Sequence, residues 1–199
     1  WNRRFRKHRT SLALLLEKHN LIERSLVSFA KIDGEMSSNT IWSEIEREQL
    51  HPGQDVRLYG HHELTVDAET VQRFAMKCPL IIDGETNINK MCEDHGFTQA
   101  YYKDTLVSLI TETNYDVPEK SFKPLFNKHP FILIGVPGSM QGLRDLGFQT
   151  FSEFWSEEYD NIQTPADRFI EIEKVLLKIA SWSPEEVLDF KRRVKPILE

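Results

Sequence analysis

The segment from Thr111 to Phe151 constrains the fold of this 199-residue chain more than any other stretch. Just before it, the β-branched and aliphatic run Thr105–Thr111 predicts a buried strand. Pro118 is placed to open a helix that we predict over Glu119–Lys128, with Phe122, Leu125 and Phe126 as its apolar stripe. The apolar run Phe131–Ile134 predicts a second buried strand. The order strand, helix, strand therefore predicts one parallel unit.

The signals that follow continue this alternation. Gly135–Gly138 predicts a tight structural turn, since it lacks the glycine spacing and the lysine of a phosphate-binding loop. Ser139–Leu146 predicts a helix that ends at Gly147 in a left-handed conformation, and Phe148–Phe151 predicts a short strand. Alternating strands and helices with short links are typical of parallel sheets with right-handed crossovers. We predict an α/β fold, namely a Rossmann-like parallel sheet flanked by helices, with a helical C-terminal tail.

The N-terminal part fits the same plan. Trp1–Arg9 is predicted to be a basic loop, and Thr10 or Ser11 is a candidate cap for a helix that follows it. The apolar run Ser25–Ala30 then predicts a central parallel strand. A loop and helix of this kind normally follow a first strand, so one possibility is that the chain belongs to a longer protein.

The domain organisation follows from these signals. Residues 1–160 are predicted to form the Rossmann-like domain, with a variable insertion around residues 31–89, and residues 161–199 to form helices that pack on it. Within the insertion, Thr40–Leu50 predicts a short helix, and Asp67 starts another that ends at Lys77 before Cys78-Pro79. In the tail, Thr164-Pro165 and Ser183-Pro184-Glu185-Glu186 start two amphipathic helices. The inward residues are predicted to include Phe169 and Ile172 in the first helix and Leu188 and Phe190 in the second.

The composition is that of an ordinary globular protein, with 40% hydrophobic and 28% charged residues. Because no apolar run is long enough to span a bilayer, we expect no membrane span and a cytoplasmic protein, or one encoded by a phage and located in the host cytoplasm. Cys78 and Cys92 match no metal-binding or redox spacing, so free thiols are expected, although a disulfide between them remains open. His61-His62 has no second ligand pair, so no metal site is expected.

The net charge of −6 hides a basic start, where Arg3, Arg4, Arg6, Lys7 and Arg9 occur without an acidic residue. Such a cluster is either a disordered arm that binds nucleic acid or a local anion site within a fold. Because the remainder of the chain is acidic, a broad nucleic-acid surface is not favoured, and we predict a local anion site.

The candidate binding residues lie at predicted helix starts and in the basic loop. Ligands of open parallel sheets bind beyond the carboxyl ends of the strands, where helix N-termini point. There Glu119 is suited to accept hydrogen bonds from ribose hydroxyls and Lys120 to pair with a phosphate, while the arginines clamp a pyrophosphate. The alternative is that Pro-Glu-Lys is a common helix opening and the basic loop is a solvated terminus. The predicted nucleotide-binding residues are Arg3, Arg4, Arg9, Glu119, Lys120 and Lys123.

Aromatic and acidic residues alternate before the tail. Of these, Phe148, Phe151, Phe154, Trp155 and Tyr159 are predicted to lie in the core. The acidic residues are predicted to cap a helix or to lie in solvent, and they are Glu157, Glu158 and Asp160.

These motifs together resemble a known family. The segment Leu106–Gly135, with a strand, Thr-Glu, then Pro-Glu-Lys-Ser-Phe-Lys-Pro-Leu and an apolar strand ending in Gly, resembles the donor-binding motif of α-1,3-fucosyltransferase-like enzymes and, more loosely, of exostosin-like glycosyltransferases. Asn2–Arg9, followed by a helix and Ser-Leu-Val-Ser-Phe-Ala, is similar to the first loop, helix and second strand of that donor domain. Lys128–Tyr159 resembles uncharacterised glycosyltransferase-like proteins of phages and bacteria. The resemblance does not extend to residues 31–89. Two features depart from the pattern: Pro118 stands where the family has Thr, and the acceptor-binding domain that would supply a general base is not in this sequence.

The resemblance implies the GT-B architecture and a metal-independent transfer of a sugar from UDP or GDP, with no cofactor beyond the donor substrate. Glu119 would face the ribose, Lys120 the phosphates, and an arginine the departing diphosphate. The general base would come from an acceptor-binding domain or a second chain. The sequence leaves two alternatives: a non-catalytic structural or interaction module that keeps this fold, for example a phage-encoded one, and a nucleic-acid arm at Arg3–Arg9.

Overall fold

The computed structural model describes residues 7–29, 51, 53–80, 99–112 and 119–199, with the backbone alone at 99 and 119–121. The chain divides into two compact units, residues 1–96 and 97–199, called here the N-terminal unit and the C-terminal unit. Within the described ranges the fold is mixed α/β, with seven α-helices and two sheets of two strands each.

The N-terminal unit pairs two helices with a short antiparallel hairpin. Asp67 caps the second helix, because its carboxylate accepts a hydrogen bond from the backbone nitrogen of Thr70 at 2.6 Å. That helix was predicted from Asp67 to Lys77, and the structure confirms it. The regular elements are α1 (Lys7–Lys18), β1 (Asp55–Arg57), β2 (Thr65–Asp67) and α2 (Ala68–Lys77).

Two predictions for this unit are wrong. Helix α1 begins at Lys7, so Arg9 is helical rather than part of a loop, and Thr10 and Ser11 lie buried inside the helix instead of capping it. Burial of the leucine-rich turns of α1 outweighs the capping preference of two hydroxyl residues. In the run from Ser25, the described residues form no parallel strand.

In that run, Phe29 makes an isolated antiparallel bridge to Leu80. The backbone nitrogen of each residue lies 3.0 Å from the carbonyl oxygen of the other. The Phe29 ring packs edge-on against Phe74 of α2 at 5.1 Å between centroids. A short apolar run specifies burial but not its pairing partner, which explains the error. The predicted helix Thr40–Leu50 lies outside the described residues.

The C-terminal unit contains the predicted strand–helix–strand arrangement. Its two strands are parallel, with Ser108 opposite Phe131 and Thr111 opposite Ile134, and all four residues of the second strand are buried. The elements are α3 (Gln99–Asp104), β3 (Ser108–Thr111), α4 (Glu119–Phe126), β4 (Phe131–Ile134), α5 (Ser139–Asp145), a 3-10 turn (Glu158–Asp160), α6 (Pro165–Ala180) and α7 (Pro184–Leu198).

The predicted third strand at Phe148–Phe151 is absent from the structure. Instead, the backbone N–H of Phe151 donates to Oε1 of Glu157 at 2.8 Å, so a side chain satisfies the donor that a strand would present to a neighbour. Gly147 has the predicted left-handed conformation, with φ of +88° after α5.

The C-terminal helices were predicted correctly in their main features. Helix α6 packs against the turn Glu158–Asp160 and buries the predicted residues Phe169 and Ile172. Helix α7 starts with a capping box in which Ser183 and Glu186 exchange hydrogen bonds. Leu188 was predicted to face inward but is 68% exposed.

The aromatic core of this unit joins residues 151–155 to α7. Phe154 and Phe190 meet edge-on at 4.8 Å, and Trp155 lies 5.4 Å from Phe151. Phe148, which was predicted to join them, is 38% exposed. The same error applies to Phe126 in the predicted apolar stripe of α4, because it is 77% exposed.

Candidate functional site at the carboxyl edge of β3 and β4

The carboxyl ends of β3 and β4 define one edge of the parallel pair. The ladder continues one residue beyond β3, since the backbone N–H of Glu112 donates to the carbonyl of Ile134 at 3.0 Å. Glu112 and Gly135 are therefore neighbours where the strands end. Helix α4 begins at Glu119, between the end of β3 and the start of β4, so the chain order brings its N-terminus to the same edge. This is the edge at which open parallel sheets bind ligands.

Ser139 and the Cβ atom of Glu112 both lie close to Gly135. A Cβ atom built on Gly135 would lie 2.5 Å from the Ser139 Oγ and 3.9 Å from the Glu112 Cβ. The first distance is too short for any side chain, so glycine is required while Ser139 keeps its place. Glu112 is 8% exposed, which makes it a buried carboxyl at the edge. The Ser139 hydroxyl donates to the Val136 carbonyl at 2.6 Å, which fixes its orientation.

The N-terminus of α5 is occupied by Asp160. Its Oδ2 accepts hydrogen bonds from the backbone nitrogens of Met140 at 3.0 Å and Gln141 at 3.1 Å. The Asp160 backbone carbonyl also accepts from Gly138 at 2.9 Å, where φ is +86°. A protein carboxylate thus satisfies the amides that an external anion would otherwise contact. The turn Gly135–Gly138 is structural, as predicted.

Glu157 is another buried carboxylate of this region. Its oxygens accept from the Thr150 hydroxyl at 2.8 Å and from the Phe151 backbone nitrogen, and it pairs with the guanidinium of Arg144. Both Asp160 and Glu157 were predicted to cap a helix or to lie in solvent. The prediction is correct for Asp160, which caps α5, and wrong for Glu157, which is 6% exposed. Glu157 is fully engaged inside the protein and has a structural role.

The predicted nucleotide-binding residues fall in different parts of the chain. Glu119 and Lys120 form the first turn of α4, and Lys123 follows them with a half-buried side chain. Arg9 belongs to α1 in the N-terminal unit and is 8% exposed. Arg3 and Arg4 lie outside the described residues. The nucleotide-binding set as a whole stays a prediction.

Sequence reasoning missed Glu112 and Ser139 as edge residues. The available signal was positional: Glu112 is the first polar residue after Thr111 closes an apolar strand, and such positions face ligands in parallel sheets. Ser139 was recognised only as the start of a helix. Their closeness depends on the register of β3 and β4, which no local pattern encodes.

The opposite edge contains a buried histidine, His129, next to the start of β4. Its Nε2 lies 3.1 Å from the Thr105 carbonyl, which can only accept, so this nitrogen carries the proton. Its Nδ1 lies 3.0 Å from the Ser108 hydroxyl, and the Tyr102 ring packs edge-on at 5.3 Å. Burial lowers the pKa of His129, so the imidazole is neutral near pH 7. This cluster joins α3, β3 and β4 and is structural.

No group of three or more His, Cys, Asp or Glu side chains suited to a metal ion occurs in the part of the chain that the structure describes. In the same ranges, none of the helices has the length and apolar character needed to cross a membrane. The chain matches no family model, no curated protein and no solved structure. Its function must therefore be argued from its own residues.

Proposed function

We propose that the carboxyl edge of β3 and β4 binds a UDP- or GDP-sugar as the donor site of a glycosyltransferase. The observation that carries this proposal is the parallel pairing of β3 and β4 with α4 between them. That arrangement is the basic unit of nucleotide-binding sheets, and it assigns the start of α4 to the edge where nucleotides bind. We also propose that the pair belongs to a Rossmann-like sheet.

Helix α4 supplies charges of both signs to this site. Glu119 in its first turn would accept hydrogen bonds from the two ribose hydroxyls, which are neutral donors that suit a carboxylate. Lys120 and Lys123 would offset the charge of the phosphates, helped by the positive end of the helix. In a transfer reaction, the same cations would stabilise the departing diphosphate as its charge develops.

Titration calorimetry with UDP- and GDP-sugars tests this proposal. The wild-type chain should bind at least one of them with millimolar or tighter affinity, and Glu119→Ala should bind it at least tenfold more weakly, because a charged hydrogen-bond acceptor is lost. Lys128→Ala is the matched control, since Lys128 is exposed beyond the C-terminal end of α4. Absence of binding to every nucleotide would overturn the proposal.

A second candidate function is a non-catalytic interaction module. Two observations favour it: Asp160 occupies the start of α5, and large apolar side chains are exposed in the C-terminal unit, including Phe126 at 77%, Leu188 at 68% and Leu146 at 60%. The calorimetry separates the two functions, because a module of this kind would bind no nucleotide and Glu119→Ala would change nothing.

A further inference from the structure

We infer that the outer face of α7 binds the same face of a second copy of this chain, with the two helices antiparallel about a two-fold axis. The outer face is defined by Glu185, Leu188, Arg192 and Lys195, which recur every three or four residues along α7. None of the residues assigned to the donor site takes part, so this inference goes beyond the proposed function and is independent of it.

The first step concerns which side of α7 is available. Phe190 and Val194 are buried, and the Phe190 ring meets Phe154 edge-on at 4.8 Å, so this side attaches α7 to the aromatic core. Leu188 lies about 200° around the helix from Phe190 and therefore points away from that core. Leu188 is 68% exposed, and the Arg192 side chain is 78% exposed. The described part of the chain leaves the outer face uncovered.

The second step concerns the order of charges along α7. The acidic residues come first and the basic residues follow, namely Glu185, Glu186 and Asp189, then Lys191, Arg192, Arg193 and Lys195. A helix with this order is complementary to a copy of itself that runs in the opposite direction, whereas a parallel copy places like charges side by side. The helix dipole favours the same order, so the charges fix the direction of a partner helix and the exposed Leu188 between them supplies the apolar contact.

The third step places individual residues across the two-fold axis. With the two Leu188 side chains in contact, Glu185 lies three residues before the centre and Arg192 four residues after it. Helical rotation puts both residues about 40–60° to the same side of Leu188. A two-fold rotation keeps that side and reverses the direction along the helix, so Glu185 of each copy faces Arg192 of the other.

Arg192 has donors left for this second carboxylate. Its Nη2 donates to Oδ1 of Asp189 at 2.6 Å within α7, and a guanidinium has five N–H groups in total. Both ion pairs of the dimer would lie at the rim of the Leu188 contact, where charges set specificity and orientation more than affinity. One helix face buries less than the roughly 1,200 Å² of a stable interface, so we expect a weak dimer with a dissociation constant on the order of 100 μM.

The test measures self-association by sedimentation velocity from about 10 μM to about 1 mM protein. The wild-type chain should approach the mass of a dimer at the highest concentration. Leu188→Asp should weaken association at least tenfold, because two like charges then meet at the centre of the interface. The single reversals Glu185→Arg and Arg192→Glu should each weaken it several-fold, and the double variant should return to within about twofold of wild type, because the pair is re-formed with its signs exchanged.

Phe126→Asp is the matched control. Phe126 is an apolar residue of the same unit and is even more exposed, at 77%, but it lies on α4, so this variant should associate as wild type does. The melting temperature of every variant should stay near that of wild type, since each changes an exposed side chain. A chain that stays monomeric at every concentration would overturn the inference, as would unchanged association in Leu188→Asp. Failure of the double reversal to restore association would overturn the antiparallel pairing of Glu185 with Arg192.

Discussion

Oδ2 of Asp160 accepts a hydrogen bond from the backbone nitrogen of Met140 at 3.0 Å and so caps the first turn of α5. The two residues are 20 positions apart, so the cap is a tertiary contact that ties the 3-10 turn at Glu158–Asp160 to the helix after β4.

Replacing Asp160 with Asn should loosen α5. The variant loses a charge-assisted cap and its favourable interaction with the helix dipole, which together are worth about 1–2 kcal/mol. We expect hydrogen exchange of the Met140 and Gln141 amides to accelerate roughly tenfold, measured by NMR. Glu158→Gln is the control, because Glu158 is the exposed neighbour in the same turn. Unchanged protection in Asp160→Asn would show that the cap does not stabilise α5.

The helices and strands that were predicted correctly are those whose sequence signals lie within or next to the element itself. The helices α2, α6 and α7 were predicted because each has its own start signal, such as Asp67 or Ser183, followed by a buried stripe. The pair β3 and β4 was predicted because a helix between two apolar runs leaves parallel pairing as the natural solution. In these cases local preference and tertiary packing agree.

The errors arise where a short apolar run specifies burial but not the group that its backbone bonds. The apolar runs at Ser25 and Phe148 were both predicted to be strands, yet Phe29 bridges to Leu80 and Phe151 is bonded by Glu157. The β1–β2 hairpin was not predicted, because its strands have only three residues each. The candidate site follows the same rule: its edge was predictable from the parallel unit, but the approach of Ser139 to Glu112 was not.

Substitution of Glu17 should strongly destabilise the N-terminal unit. Its carboxylate is 1% exposed and pairs with Arg73 Nε and Lys77 Nζ, each at 2.9 Å, so it joins α1 to α2. Glu17→Gln should lower the free energy of unfolding by about 1–3 kcal/mol, because two cations lose their shared acceptor. The measurement is hydrogen exchange of α1 and α2 amides.

The control for Glu17 lies in the same network. Glu23 pairs with Lys77 at 2.8 Å but its side chain is 71% exposed, so Glu23→Gln should change the free energy by less than about 0.5 kcal/mol. A double-mutant cycle of Glu17→Gln with Lys77→Met isolates the pair. Equal effects of the two Glu variants would contradict the view that burial gives Glu17 its importance.

Cys78 should react slowly as a thiol in the folded protein. Burial, with a smaller contribution from the nearby Glu17 carboxylate, raises its pKa to about 12 from 9.0. Because the thiolate is the nucleophile, the alkylation rate by iodoacetamide should fall by roughly two to three orders of magnitude relative to the unfolded chain. The Cys92→Ser variant leaves Cys78 as the single cysteine. Equal rates with and without urea would contradict the burial of this thiol.

The stability of the C-terminal unit should fall as the pH drops below about 6.5, because of His129. Burial lowers its pKa in the folded state, so the unfolded chain takes up a proton first as the pH falls from the ordinary value of 6.5. Stability is therefore complete above that pH and decreases toward the folded pKa, by at most about 1.4 kcal/mol per pH unit for one proton. Urea titrations that follow the β4 amide signals by NMR, from about pH 8 to about pH 5.5, measure this slope.

Two variants separate His129 from the other titrating groups. His129→Gln keeps one donor for the Thr105 carbonyl and one acceptor for the Ser108 hydroxyl, so the chain should fold with lower stability at pH 8 but a flatter pH profile. His62→Gln is the control, since its side chain is 75% exposed and should leave the profile unchanged. If His129→Gln keeps the full slope, carboxylates are responsible for the pH dependence, and the neutral histidine is not what holds α3 to the start of β3 and β4.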